Sequence, residues 1–360
     1  MNVALVTTYF KPYEWRSGIS NVVYLIARGL IDCGIDVKVF SPLKDNLKRH
    51  EFRNKINAER FGYKHDYFLY SKEAAGQIRK YSPDIVHSFH YGFYPATAGL
   101  RAARDLKIPH VFTPAYHPPN SAKKNIIFYA YDLIYGNDLV KNSSRIITFN
   151  NNEKSQMSKY GNKKIDVVPA PVNNNTFYRK RLRRQKLAIS FVGSFLPWKG
   201  AGIAMKIFKQ IERERDDIEF FFVGGGTMYH ELKKQASKNV KFFVDQPSTT
   251  VAKIHNMTDI AVFPTFYESF GCAMAEASMC GTPVVSTEVG AVPETVGDGG
   301  LLVDYGNWTG MKEAIERLLD DHKLRSRLSR NAIRHSKQYE YKHVVSRIVN
   351  SYKKALDARS

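Results

Sequence analysis

The chain has 360 residues, of which 43% are apolar and 24% charged, and carries a net charge of +20. These proportions exclude a disordered or fibrous chain, and at roughly 150 residues per domain the length suits two domains, each able to bury a core. Its three cysteines, Cys33, Cys272 and Cys280, exclude a disulfide scaffold and form no C-x2-C zinc spacing, and no apolar run reaches the roughly 18 residues of a membrane helix.

The first predicted strand is Val3–Thr7, and no basic stretch precedes it, so the N-terminus does not read as a secretory signal. The sequence is therefore expected to be that of a soluble cytoplasmic protein. A loop with Ser17, Gly18 and Ser20 leads into a helical period through Val22, Val23, Ile26 and Leu30, with Gly34 placed as its C-cap. Strand-like runs follow at Asp36–Ser41, Asp84–Ser88, His110–Thr113, Arg145–Phe149 and Asp166–Val168. Their alternation with amphipathic stretches predicts a doubly wound parallel sheet.

Six of the eight residues Arg179–Lys186 are basic, which predicts an exposed linker. The alternation then restarts. Strands are predicted at Ile189–Val192, Glu219–Val223, Val240–Val244, Ile260–Phe263, Pro283–Ser286 and Leu301–Val303. Helices are predicted near Ala201–Arg213, Met228–Ala236, Thr249–Asn256, Cys272–Met279, Trp308–Leu319 and Lys323–Gln338. The expected class is α/β, with Rossmann-like domains at 1–178 and 187–338 facing across a cleft. Such sheets bind ligands at the C-terminal ends of their strands.

The positive charge belongs to no tail: residues 1–175 hold 25 basic and 14 acidic side chains, and residues 176–360 hold 29 and 20. A basic surface suits nucleic acid, anionic membranes or phosphorylated small molecules, and equally a solvated face with no partner.

The strongest local signal runs from Phe263 to Glu276. A strand ends at Pro264, a short loop carries Glu268, Ser269 and Phe270, and a helix opens near Gly271. Backbone N–H groups at a helix start suit a phosphate. Glu268 and Glu276 can accept hydrogen bonds from sugar hydroxyls toward the two ends of an elongated ligand. The bland alternative is Glu268 capping the helix and Glu276 facing solvent.

In this frame Glu-x7-Glu resembles the donor-site motif of retaining glycosyltransferases of family 4, which have the two-Rossmann GT-B fold. The resemblance covers most of the chain. It extends through Pro83–His87, Val168–Asn173 with Phe177, Phe191–Gly200, Phe222–Gly226, Ala277–Val285 and Gly290–Glu294. It implies that Lys199 binds the donor diphosphate beside the amides of Phe270 and Gly271. Glu276 would hold the ribose and Glu268 the donor sugar, while Gly18 would let backbone approach the diphosphate. It also implies retention of configuration, no divalent metal and no cofactor beyond the nucleotide-sugar co-substrate. The C-terminal stretch 339–360 would return to the first domain.

Two positions depart from the family pattern. Ser194 stands where an arginine usually partners the lysine, and Ala115 stands where a histidine usually closes the His110–Thr113 strand. If the backbone stays extended, His117 projects to the same side as Ala115 and substitutes for that histidine; otherwise Pro118-Pro119 ends the strand and His117 faces solvent. Arg16 or the Arg179–Arg184 run offers a replacement cation, or these are unrelated surface charges.

The remaining features carry less. Gly224-Gly225-Gly226 is an incomplete dinucleotide fingerprint. His87 and His90 lack a metal-ligand cluster, and the resemblance makes them cleft-wall residues. Asp216-Asp217 and Asp320-Asp321 read as surface pairs. The aromatic stretch Asn125–Tyr131 after Lys123-Lys124, with Lys44–Arg49, forms a candidate basic surface for docking at the inner membrane face.

The sequence thus reads as a glycosyltransferase moving a hexosyl group, with retention, from a nucleotide sugar to a glycan, glycolipid or lipid-linked acceptor. Nucleic acid is not an expected partner. The alternative is a catalytically weakened GT-B subunit supporting a partner glycosyltransferase. Ser194 and Ala115 motivate it, and the presence of Lys199, Glu268 and Glu276 opposes it.

Overall fold

Val3, Ala4, Leu5 and Val6 are all fully buried because strand β1 (Asn2–Val6) lies inside a parallel sheet covered on both faces. The computed structural model describes residues 1–10, 18–44, 47–64, 68–118, 128–162, 164–180, 182 and 185–358. The chain divides into two units, Met1–Pro171 with Tyr341–Ser360, and Val172–Glu340. The segment 172–178, placed above in the first domain, belongs to the second unit, and the return to the first begins at Tyr341.

In the first unit β1 is followed by α1 (Gly18–Asp32), β2 (Asp36–Pro42), β3 (His50–Arg53), β4 (Ile56–Phe61), α2 (Ala74–Tyr81), β5 (Ile85–Phe89), α3 (Tyr94–Asp105) and β6 (His110–Thr113). A π-helical turn, Asp132–Gly136, runs into α4 (Asn137–Asn142), and β7 (Arg145–Thr148), α5 (Asn151–Ser158) and β8 (Ile165–Val167) complete the sheet. The strand order is β3-β4-β2-β1-β5-β6-β7-β8. All neighbours are parallel except β3 and β4, an edge hairpin absent from the sequence reading. One face buries Val6, Phe40, Ile78 and Val86; Leu100, Phe112, Leu139 and Ile146 form a second buried cluster.

Helix α13 (Tyr341–Asp357) is tied into this unit by polar bonds as well as apolar packing. Ser351 Oγ donates to Asp166 Oδ2 (2.8 Å), and the Tyr352 hydroxyl meets His87 Nδ1 (2.7 Å) inside the core. Gly29 of α1 is required here, since a Cβ at that position would collide with Val345.

The second unit holds β9 (Leu187–Val192), α6 (Ala201–Glu214), β10 (Ile218–Val223), α7 (Tyr229–Gln235), β11 (Val240–Phe243), α8 (Ser248–Met257) and β12 (Ile260–Phe263). Then come α9 (Cys272–Met279), β13 (Val284–Thr287), α10 (Val292–Val296), β14 (Gly300–Val303), α11 (Trp308–Asp320) and α12 (His322–Ser336). The order β11-β10-β9-β12-β13-β14 is wholly parallel. In β10, Phe220 and Phe222 pack on one face and Phe221 and Val223 on the other, so a continuous apolar run is buried from both sides. No helix among the described residues is long and apolar enough to cross a membrane.

Candidate functional site

Each sheet reverses its direction of strand addition once, between β1 and β5 in the first unit and between β9 and β12 in the second. Helices leave to opposite faces at such a switch point, which opens a crevice at the C-terminal strand ends. The motif residues of the second unit converge on its crevice.

Two loops meet there. The loop after β9 turns at Gly200, whose φ of 78° is left-handed; a Cβ would overlap the Pro264 carbonyl of the loop after β12. Phe266 N donates to Trp198 O (2.9 Å) and Thr265 Oγ1 to the same oxygen (3.3 Å), zipping the loops together. This registry brings Lys199 Nζ to 2.7 Å from Glu268 Oε1, a pair bridging the switch point. Glu268 is only 13% exposed, and Thr265 Oγ1 donates to the same carboxylate oxygen at 3.4 Å. The capping alternative for Glu268 is therefore not what the structure shows.

The loop is pinned from below and behind. Thr287 Oγ1 donates to Thr265 O (2.6 Å), Ser286 Oγ to Phe263 O (2.8 Å), and Ala291 N to Glu268 O (2.9 Å). Phe270 is buried edge-on against Tyr339 at 5.2 Å, and its carbonyl accepts from Thr295 Oγ1. Gly271 then starts α9 with φ 88°, and Ser269 is half-buried beside it. The first N–H groups of α9 have no carbonyl behind them within the helix, the usual condition for anion binding.

Glu276 lies further along α9 and is half-buried, with no hydrogen bond to its carboxyl from any described residue. Burial pushes the carboxyl up to about 8. It also raises the thiols of Cys272 and Cys280, one turn to either side. A half-buried carboxyl without a partner is a group that a ligand can complete.

Ser194 is half-buried at the end of β9 and supplies no charge. Among the candidate replacements, Arg179 is committed elsewhere: its guanidinium donates to Cys280 O and Gly281 O at 3.3 and 3.1 Å. Arg16, Arg181, Arg183 and Arg184 lie outside the described residues. The acidic pairs are structural, because Arg215 bridges Asp217 (3.0 Å) and Asp320 (2.5 Å). Among the described residues no three His, Cys, Asp or Glu side chains cluster as metal ligands.

In the first unit Gly18 is exposed as the opening residue of α1. His87 is fully buried, bonded to Tyr352 and to Thr113 Oγ1 (2.8 Å), so it is a core residue rather than part of a cleft wall. The strand β6 stops at Thr113, and Ala115 takes φ 44°, which ends the extended geometry needed for His117 to project alongside it; His117 is exposed. Sequence reasoning missed Glu153. This buried carboxylate accepts from Tyr116 N and Phe149 N, both at 2.7 Å, and fastens the segment after β6 to the start of α5. Two backbone amides favour its ionised form, yet burial still pushes it up to about 7. The spacing Asn150-x-x-Glu153 is a helix-start signal that would have found it.

The family model described as glycosyl transferases group 1 matches residues 174–335, and that described as glycosyltransferase family 4 matches residues 16–175. An uncharacterized glycosyltransferase of Methanocaldococcus jannaschii is 29% identical over 281 residues, 76% of each chain. A D-inositol 3-phosphate glycosyltransferase of Segniliparus rotundus is 28% identical over 250 residues, 62% of this chain and 55% of the other, so the match spans little more than half of that relative. Among solved structures, a sucrose-phosphate synthase from Thermosynechococcus elongatus aligns with a TM-score of 0.83 at 18% identity over 99% of both chains. Anabaena HepE in complex with UDP-glucose aligns at 0.78 and 17% identity, covering 98% of this chain and 99% of that one. At such identities the likeness is one of fold, the GT-B fold.

Proposed function

The chain belongs to the group 1 glycosyltransferases of family 4, and we propose that it transfers a hexosyl group with retention from a nucleotide sugar to a glycan, glycolipid or lipid-linked acceptor at the cytoplasmic membrane face. The observation that carries this reading is the Lys199–Glu268 pair across the switch point of the second unit. Lys199 is a fixed cation for the diphosphate that accumulates charge as the glycosidic bond breaks. Glu268 accepts from the donor sugar, the open end of α9 takes phosphate oxygens, and Glu276 receives the ribose hydroxyls. Ser194 adds a hydroxyl donor where the usual arginine is missing. Both glutamates are engaged in binding roles, so the departing phosphate itself takes the acceptor proton. No metal enters the scheme. The acceptor is assigned to the first unit. HepE was solved with UDP-glucose, which makes uridine nucleotides the first donors to test.

The experiment is nucleotide release from UDP-, GDP- and ADP-sugars, with and without membrane lipid extract. Release that requires extract and disappears in Glu276→Gln supports transfer. Absence of release from every donor by a folded protein would sink the reading and favour the non-catalytic subunit.

Membrane docking has its own support. Residues 123–127 and 45–46 of the sequence-predicted patch lie outside the described residues, and Arg49 is already paired with Glu73 (3.3 Å). The helical stretch beyond exposes Tyr129, Leu133 and Ile134, each more than 60% accessible, with Lys141 exposed two turns after Leu133. Apolar groups beside lysine suit an anionic bilayer surface. Replacing both Leu133 and Ile134 by Glu is expected to reduce co-sedimentation with phosphatidylglycerol vesicles by about 10-fold or more. Unchanged co-sedimentation would remove this face from the reading.

A further inference from the structure

The switch point of the first unit is also bridged by a side-chain pair. Thr8 follows β1 and His90 follows β5, and Thr8 Oγ1 lies 2.8 Å from His90 Nδ1. His90 adopts φ 80°, a left-handed backbone that a glycine would take at less cost. It is clamped there. His90 N donates to Thr113 O (3.0 Å) and Tyr91 N to Pro114 O (2.7 Å), while Phe93 packs on the ring at 4.9 Å between centroids. Backbone strain of this kind persists only where the surroundings over-determine it, and it concentrates at functional sites. The ring is half-buried, with Nδ1 occupied and Nε2 bonded to no described residue.

We propose that His90 is a catalytic residue of the first unit, whose Nε2 accepts a hydrogen bond from the attacking hydroxyl of the acceptor and so aims its oxygen. This rests on the transferase reading above. The required tautomer carries its proton on Nδ1, donating to Thr8. Burial first, and the charge of nearby His117 second, lower the imidazole to about 4. At neutral pH it is therefore uncharged and too weak a base to remove the proton outright, so its task is orientation. His90 also stands laterally beside the Thr113–Ala115 segment, where Ala115 offers no functional group. His87, three residues earlier, is the structural contrast, since both of its nitrogens are consumed inside the core.

The test compares wild type with His90→Gly and His90→Asn, using the sugar nucleotide that the donor panel selects and membrane lipid extract as the acceptor source. Because glycine relieves the strain, His90→Gly is expected to unfold at the same temperature as wild type or higher. Donor affinity by titration should move by less than about 2-fold, while transfer turnover falls by about 100-fold. His90→Asn, which tolerates the left-handed backbone and carries an amide oxygen, should recover part of that loss. Turnover of His90→Gly within about 3-fold of wild type would overturn the assignment, as would a loss that simply tracks a lower unfolding temperature. If wild type itself releases no nucleotide from any donor, the transferase reading fails and takes this one with it. An active wild type with an equally active His90→Gly sinks the histidine alone.

Discussion

Lys199→Ala is expected to lower nucleotide release at saturating donor by about 100- to 1000-fold, the scale for removing one preorganised charge partner from a transition state. Glu268 forms its ion pair with Lys199, and the position that would supply a second cation is Ser194. Arg179, the one arginine of the basic run among the described residues, spends its guanidinium on the carbonyls of Cys280 and Gly281 just after α9. The substitution acts twice. It removes positive charge where the leaving diphosphate develops its own, and it leaves the poorly accessible Glu268 carboxylate without an ion-pair partner. The first effect grows along the reaction coordinate, so turnover should fall further than donor affinity. Lys199→Arg keeps the charge but replaces a compact ammonium by a planar fork inside a loop contact fixed by Gly200 and Pro264, and partial recovery is expected. Circular dichroism separates either loss from unfolding. A fall of less than about 5-fold for Lys199→Ala would mean that the diphosphate is held chiefly by the α9 amides.

Much of this site is legible in sequence because its parts are local. The run Phe263–Glu276 reads as strand, loop and helix start, and that is how it folds. The pairing of Lys199 with Glu268 is a different kind of fact. It depends on Gly200 fitting under the Pro264 carbonyl across 64 positions of chain, which no local pattern encodes. The edge hairpin of β3 and β4 escaped notice for a physical reason. Its turn is made by Asn54 and Lys55, both with positive φ, so the usual Asn-Gly signal is missing. The strain at His90 is another matter: the resemblance places the residue in a cleft wall, but no propensity marks its left-handed backbone, which shows only in its φ. The segment 172–178 was placed with the wrong unit because the charge run after it looked like the natural boundary. Its tertiary contacts decide otherwise, since Phe177 packs against His255 and Val172 N donates to Tyr339 O (2.7 Å).

Stability should fall steeply below about pH 6.5, and replacing His255 should reduce that fall. Among the described residues four imidazoles are held neutral by burial: His110 and His255 are lowered to about 3, His90 to about 4, and His87 well below its usual range. Between those values and 6.5 the unfolded chain binds protons that the folded chain refuses, so acid favours unfolding by about 1.4 kcal/mol per group and pH unit. Glu153 and Glu276, raised to about 7 and about 8, act oppositely. Folded, they keep protons that the unfolded carboxyls release above about 4.5, so their contribution is lost as pH rises. Four groups against two leave a net loss of about 3 kcal/mol per unit on descending from 6.5 toward 4.5, with a shallower decline above neutrality. His255 is the informative position. It is fully buried and neither ring nitrogen has a partner among the described residues, whereas His87 and His110 are bonded at both. It therefore bears the desolvation cost without the compensation. His255→Leu should be at least as stable as wild type at pH 7.5, by about 1 kcal/mol. Its advantage should widen by about 1.4 kcal/mol for each unit of acidification below 6.5. Urea titrations of both proteins at several pH values measure this directly. A His255→Leu protein that is weaker at pH 7.5, or that loses stability in acid in parallel with wild type, would mean that the imidazole is satisfied by a partner such as an internal water.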